Sequence, residues 1–181
     1  MLILVKGIKV VGFTIEEFYR TVVAPFVREF EKDRSDIRRA YAAVWALDSY
    51  ASHIYYFYQE IRGLQKNSDI EFKKKVLGPK SQDFKLIMDV SAAIKHAVRS
   101  NPDKSKMSVY SSSDLISMKL DGFAAYVAGP DADEWGEQVI VHNDQHLFAP
   151  LLPKVLRAEK FLVEQEVALA KGADPAWDAP L

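Results

Sequence analysis

Apolar residues in the stretch DIRRAYAAVWALDSYASHIYYFYQEIR, residues 36–62, recur at alternating steps of three and four: Ile37, Ala40, Val44, Leu47, Ala51, Ile54, Tyr58 and Ile61. That spacing keeps one stripe of a helix against its neighbours. A second stripe (Tyr41, Trp45, Tyr55) and a third (Ala43, Tyr50, Phe57) widen the surface until little is left for water. Between Ala40 and Tyr58 the polar side chains are Asp48, Ser49, Ser52 and His53, and of these only Asp48 is charged at pH 7. A helix that is apolar nearly all round belongs in the middle of a bundle. The pattern therefore predicts a central helix, and the other elements are placed around it.

Before it, Leu2–Val5 and Ile8–Val11 read as short β segments. Thr14 to Glu17 has the form of a capping box and opens a first helix that runs to about Lys32. Phe18, Val22, Phe26 and Phe30 would face inward, and Pro25 predicts a kink or break ahead of it. After the central helix, Ser68 starts a short helix over 69–77, stopped by Gly78-Pro79. Ser81 caps a third long helix to about Ser100, with Phe84, Ile87, Ile94 and Val98 inward and Leu86, Val90, Ala93 and Ala97 broadening the face.

From Lys106 the pattern changes from helical to alternating. Segments around Val109, Leu115–Leu120 and Phe123–Val127 suit strands, Gly129–Asp133 a turn, and Gln138–His142 a returning strand, with His146–Phe148 a last short one. The density of serine from Ser108 to Ser117 makes the first strand an edge. Pro150 and Pro153 open a final helix to about Lys171, with Leu152, Leu156, Phe161 or Leu162, and Val163 to Leu169 inward. The expected fold is mainly α with some β: an up-down bundle of about four long helices, and a small antiparallel sheet between the third and last. It forms one domain over 1–171, with a β insertion at about 106–148 and a loose tail over 172–181.

Composition narrows the function without naming it. Lys and Arg number 24 against 25 Asp and Glu, so no net charge steers the chain to nucleic acid or an anionic membrane. The chain has no cysteine, which removes disulfides, thiol chemistry and Cys-ligated metal. No basic region precedes the apolar start, so no signal peptide is expected, and Asp48 and His53 make the central helix costly in lipid. The expectation is a cytoplasmic protein with no membrane span. No phosphate-binding loop, dinucleotide fingerprint or nucleophile elbow is present, and Lys73-Lys74-Lys75 is too short for a nucleic-acid surface. No cofactor is expected.

The candidate chemistry lies in four residues, Asp48, His53, Asp89 and His96. Asp48 and His53 are five apart and so on different sides of one helix. A buried Asp48 needs a cation, for which Arg39, Lys85, Lys95 and Arg99 are candidates. Asp89 and His96 share a face of the third helix. Should that helix lie on the central one, the four would converge. His96 would then act as acid or base, while Lys95 and Arg99 would bind a phosphate or other anion. No metal is assigned to them, because neither helix has the His pair of a zinc helix. His142 and His146 flank a turn and read as exposed.

Asp36-x-Arg38-Arg39-Ala40, Asp48 with His53, and Asp89-x-x-Ala92-Ala93-x-Lys95-His96 together resemble a family of uncharacterised bacterial and phage-associated proteins. The resemblance covers about Phe18 to Val167. It implies a helical bundle followed by a β hairpin and a closing helix, and it brings no activity. More loosely, the bundle is similar to the HEPN superfamily, whose ribonucleases carry an Arg four to six residues before a His. No Arg stands at that spacing before any His of this chain. Two functions are therefore weighed. One is a non-catalytic helical protein acting by self-association or by binding a protein partner. The alternative is a hydrolase or ribonuclease of a defence or toxin type built on the Asp/His set.

Overall fold

The computed structural model describes residues 14–62, 68–96, 109, 111–119, 136–143, 146 and 148–172, with only the backbone of 60–62. The β segments before Phe13, the Gly129–Asp133 turn and the tail beyond Gly172 lie outside them.

Thr14 caps the first helix as expected: its hydroxyl accepts from the Glu17 amide, and the Glu17 carboxylate accepts from the Thr14 amide at 2.9 Å. Three segments then run on as one rod, α1: Ile15–Phe18, a π-helical Tyr19–Val23, and Ala24–Lys32. Pro25 does not break it. A proline inside a helix removes one hydrogen bond and crowds the carbonyl four residues back. Here the wider π turn precedes it, with the Ala24 amide reaching back five residues to the Tyr19 carbonyl. The extra residue in that turn also changes which side chains face inward. Phe18, Val23, Val27 and Phe30 are buried, at steps of five, four and three. Val22 and Phe26, expected inside, sit at the margin.

The central helix α2, Ile37–Arg62, is unbroken. Ala40, Val44, Leu47, Ala51, Ile54 and Tyr58 are buried along the expected stripe, and Ala43, Tyr50 and Tyr55 along the others. Helices α1, α4 and α5 pack around it. Helix α3 comprises Asp69–Glu71, a π-helical Phe72–Leu77 and Gly78–Lys80. Gly78-Pro79 does not stop it, which corrects the sequence expectation. Once more a π turn precedes the proline, with the Gly78 amide bonded to the Lys73 carbonyl. A Cβ at position 78 would come within 3.2 Å of that carbonyl, so glycine suits the close turn.

Helix α4 is described over Gln82–His96, with Phe84, Leu86, Ile87, Val90 and Ala93 buried. The sheet has the order β1-β2-β3, all antiparallel, with β1 Leu115–Lys119, β2 Glu137–Val141 and β3 Ala149–Pro150. Strand β1 is an edge of the sheet among the described residues, while the serines expected to mark an edge strand fall mostly ahead of it, where Ser112–Asp114 form a 3₁₀ turn rather than strand. His142 lies just past β2, and the third strand falls at Ala149–Pro150 rather than His146–Phe148. The protein is thus mainly α with a small antiparallel sheet.

Helix α5, Leu151–Ala170, leaves β3 with no loop between them. Strand pairing therefore sets its phase. It buries Leu151, Val155, Ala158, Leu162 and Leu169, while Leu152, Leu156, Phe161 and Val163 lie at the edge of the core. No helix among the described residues is long and apolar enough to cross a membrane.

Candidate functional site

Asp48 is the polar centre of the bundle, at 6% exposure. Its Oδ1 accepts from Lys73 Nζ at 2.8 Å, and its Oδ2 from Lys95 Nζ at 2.8 Å and Ser91 Oγ at 2.9 Å. Lys73 also donates to Ser52 Oγ at 3.2 Å, and that hydroxyl donates to Asp69 Oδ2 at 2.7 Å. Burial pushes the Asp48 carboxyl pKa up. The Lys73 and Lys95 ammoniums oppose burial and prevail, leaving it below the ordinary aspartate value.

Of the cations expected for Asp48, Lys95 is the one that reaches it among the described residues. Arg39 is spent on Asp33, Asp36 and the Glu29 carbonyl, Lys85 is exposed, and Arg99 lies outside the described residues. The principal partner, Lys73, belongs to the run set aside as a mere basic cluster. Its signal was the Asp69/Lys73 pair one helical turn apart, on a short helix whose Phe72 and Leu77 are apolar anchors.

The histidines lie elsewhere. His53 is exposed on the other flank of α2, where its ring stacks on Phe18 at 3.9 Å and its Nδ1–H donates to the Ser49 carbonyl. His96 is exposed at the end of the described part of α4. Asp89 is buried at 8% exposure, and its charge reaches His146. That histidine was expected to be an exposed turn residue, but its Nε2 is buried and meets no hydrogen-bond partner among the described residues. Burial lowers the His146 pKa and Lys154 adds to this, while Asp89 works against both. His142 is exposed, as expected, and stacks on Phe148, whose left-handed backbone (φ 54°) leads into β3. Among the described residues no three His, Asp or Glu side chains are grouped to hold a metal.

A second polar seam, not anticipated from sequence, joins α1 and α2 to α5. Tyr19 donates to Glu159 Oε1 at 3.0 Å, Tyr50 to Glu166 Oε2 at 3.4 Å and Tyr58 to the Glu166 carbonyl at 3.3 Å. Burial raises the pKa of both glutamates and pushes Tyr19 up to about 12. Above Tyr19 and Glu159 lies an open cleft of about 530 Å³, with Arg20, Arg28 and Glu31 on its walls.

One face of α2 is only partly covered, with Ser52 on it bonded to Asp69 and Lys73 of α3. Trp45, Ser49, Ser52 and Tyr56 follow at steps of four, three and four, so they form one stripe between the Asp48 flank and the His53 flank. Trp45 is 47% exposed and Tyr56 54%, the large hydrophobic side chains of this helix left exposed among the described residues. Compared with family models, curated proteins and solved structures, the chain matches none.

As chemistry, the Asp48 centre is saturated. Each carboxylate oxygen already holds a lysine, and Lys73 Nζ is set between Asp48 at 2.8 Å and Asp69 at 3.7 Å. The arrangement binds α2, α3 and α4 to one another.

Proposed function

We propose that the protein is a non-catalytic helical module acting through its surface, by self-association or by holding a protein partner. The observation that carries this reading is the exposure of Trp45 and Tyr56, two aromatic side chains held about half exposed on one face of the central helix. Exposed aromatic side chains on a rigid helix are the anchors that protein interfaces favour. The interior polar groups give further support: those of the Asp48 centre are consumed by one another, and His53 and His96 stand apart from it on exposed ground. The hydrolase alternative would need one of these groups free beside a substrate.

A photo-crosslinking residue placed at Tyr56 tests the reading, with one at exposed Lys160 as control. A covalent adduct with a second copy or with a defined protein is expected at 56 and not at 160. Equal labelling at both positions, or at neither, would overturn it.

A further inference from the structure

The cleft between α1 and α5, about 530 Å³, has the size of a small-ligand site, ~300–1,000 Å³. Its walls carry charges that the fold leaves unanswered. Arg20, Ala24 and Arg28 of α1 all line it, and the small Ala24 between two long arginines leaves a notch over buried Val27. Arg28 folds back along its helix, with its Nε donating to the Ala24 carbonyl at 3.0 Å, which keeps both terminal nitrogens for another acceptor. Among the described residues neither arginine is ion-paired with a carboxylate. Tyr19 donates to Glu159 Oε1 at 3.0 Å, and Oε2 of that carboxyl bonds nothing among the described residues.

We infer that this cleft binds a small organic carboxylate with a short apolar body. One oxygen of the ligand accepts from the Arg28 guanidinium and the other from the protonated Oε2 of Glu159, while the body lies on Ala24 and Val27. Such charge-assisted bonds are short and strong, and a planar carboxylate offers two acceptors side by side. Glu16 stands four residues before Arg20, and Glu31 three after Arg28, so the lining along α1 reads acid, base, apolar, base, acid. That order admits one negative charge between the arginines and repels a second at either end. An ammonium in the same place would meet two guanidiniums.

The groups that face Glu159 among the described residues are Tyr19, Arg28 and Glu31, all on α1. Burial and Glu31 favour its neutral form, Tyr19 and Arg28 oppose them, and the balance lies above the ordinary glutamate value. A ligand arriving as an anion adds negative charge beside it and draws one proton from solvent onto Glu159. Affinity therefore falls as pH rises through the raised pKa of Glu159. The site includes neither Trp45 nor Tyr56, so it stands apart from the surface reading of α2.

The test is an amide-resolved NMR titration of the full chain with three probes that share one body and differ in head group: isovalerate, isovaleramide and isoamylammonium. Isovalerate should shift the amides of α1 around Tyr19 to Glu31 and those of α5 around Glu159, and the other two should not. Arg28→Gln, a change at an exposed side chain, should raise the dissociation constant for isovalerate about tenfold or more, the loss of a charge-assisted hydrogen bond. In the wild-type chain that constant should rise from about pH 5.5 to about pH 7.5, whereas Glu159→Gln should keep the binding and lose the pH dependence. No shift at the cleft with isovalerate, or equal shifts with isovaleramide or isoamylammonium, overturns the inference. So does an Arg28→Gln chain that binds as tightly as the wild type, or a Glu159→Gln chain that keeps the wild-type pH dependence.

Discussion

On its α3–α4 side, α2 buries Asp48 as an ion held by two lysines. On its α5 side, Tyr50 and Tyr58 meet Glu166, and Tyr19 of α1 meets Glu159, with phenols as the hydrogen-bond donors. Burial acts in the same direction on all three carboxyls, toward the neutral form. The net shift differs in sign because only Asp48 has ammoniums within hydrogen-bond reach. Its pKa falls while those of the glutamates rise. Whether a buried acid stays ionised is decided by its nearest cation, not by depth alone.

The two regions therefore respond to pH in opposite senses. Asp48 favours its ionised form in the fold, so its contribution is complete above the unfolded aspartate value and is lost as pH falls through its depressed folded pKa. Glu159 and Glu166 favour their protonated forms. What they contribute is complete below the unfolded glutamate value and is lost as pH rises through their raised folded values. Tyr19 follows the same rule at the alkaline end. Its contribution holds below its unfolded value and is lost as pH climbs through about 12.

The sharpest way to break this contrast is Asp48→Ala, which takes from buried Lys73 its closest carboxylate and leaves it Ser52 and the more distant Asp69. A loss of ~3–5 kcal/mol in urea unfolding is expected at pH 7. A loss below ~1 kcal/mol would mean that water reaches the centre and the ion pair carries little. Next comes the difference between the two lysines. Lys73 has only 10% of its side chain exposed and Lys95 has 49%, so Lys73→Met should cost several times as much as Lys95→Met. The latter should stay under ~1 kcal/mol. Equal costs would make the two bridges equivalent despite their burial. Tyr19→Phe should cost ~1 kcal/mol at pH 7 and flatten the loss of stability between pH 10 and about 12. An unchanged alkaline limb would sever Tyr19 from it. The smallest effect belongs to Glu159→Gln: less than ~1 kcal/mol at pH 7, with a shallower decline as pH rises from acid toward neutral. A decline no shallower than that of the wild-type chain would remove Glu159 from the seam's pH response.

How legible the molecule was depended on what kind of pattern each part left. The α2 rod, the Thr14 capping box and the Ser81 start of α4 could be read because each rests on residues close in sequence. Pro25 and Gly78-Pro79 misled because a proline's local cost can be absorbed by a π turn ahead of it. That turn in α1 then moved the buried face from Val22 and Phe26 to Val23 and Val27. The need of Asp48 for a cation was legible, and so was Lys95. Lys73 was not, since a lysine among lysines carries no sign of which one turns inward.

By itself, then, the sequence determined a central apolar helix, the helices around it, a small sheet and one carboxylate that could not be buried alone. Periodicity and capping act over a few residues, so a linear pattern suffices to state them. Only the tertiary structure decided which lysines answer Asp48, that His146 turns its Nε2 inward while His53 and His96 stay outside, and that Trp45 and Tyr56 of α2 are left half exposed. Those are outcomes of how helices pack, and the distance between residues in space is not written in their spacing along the chain.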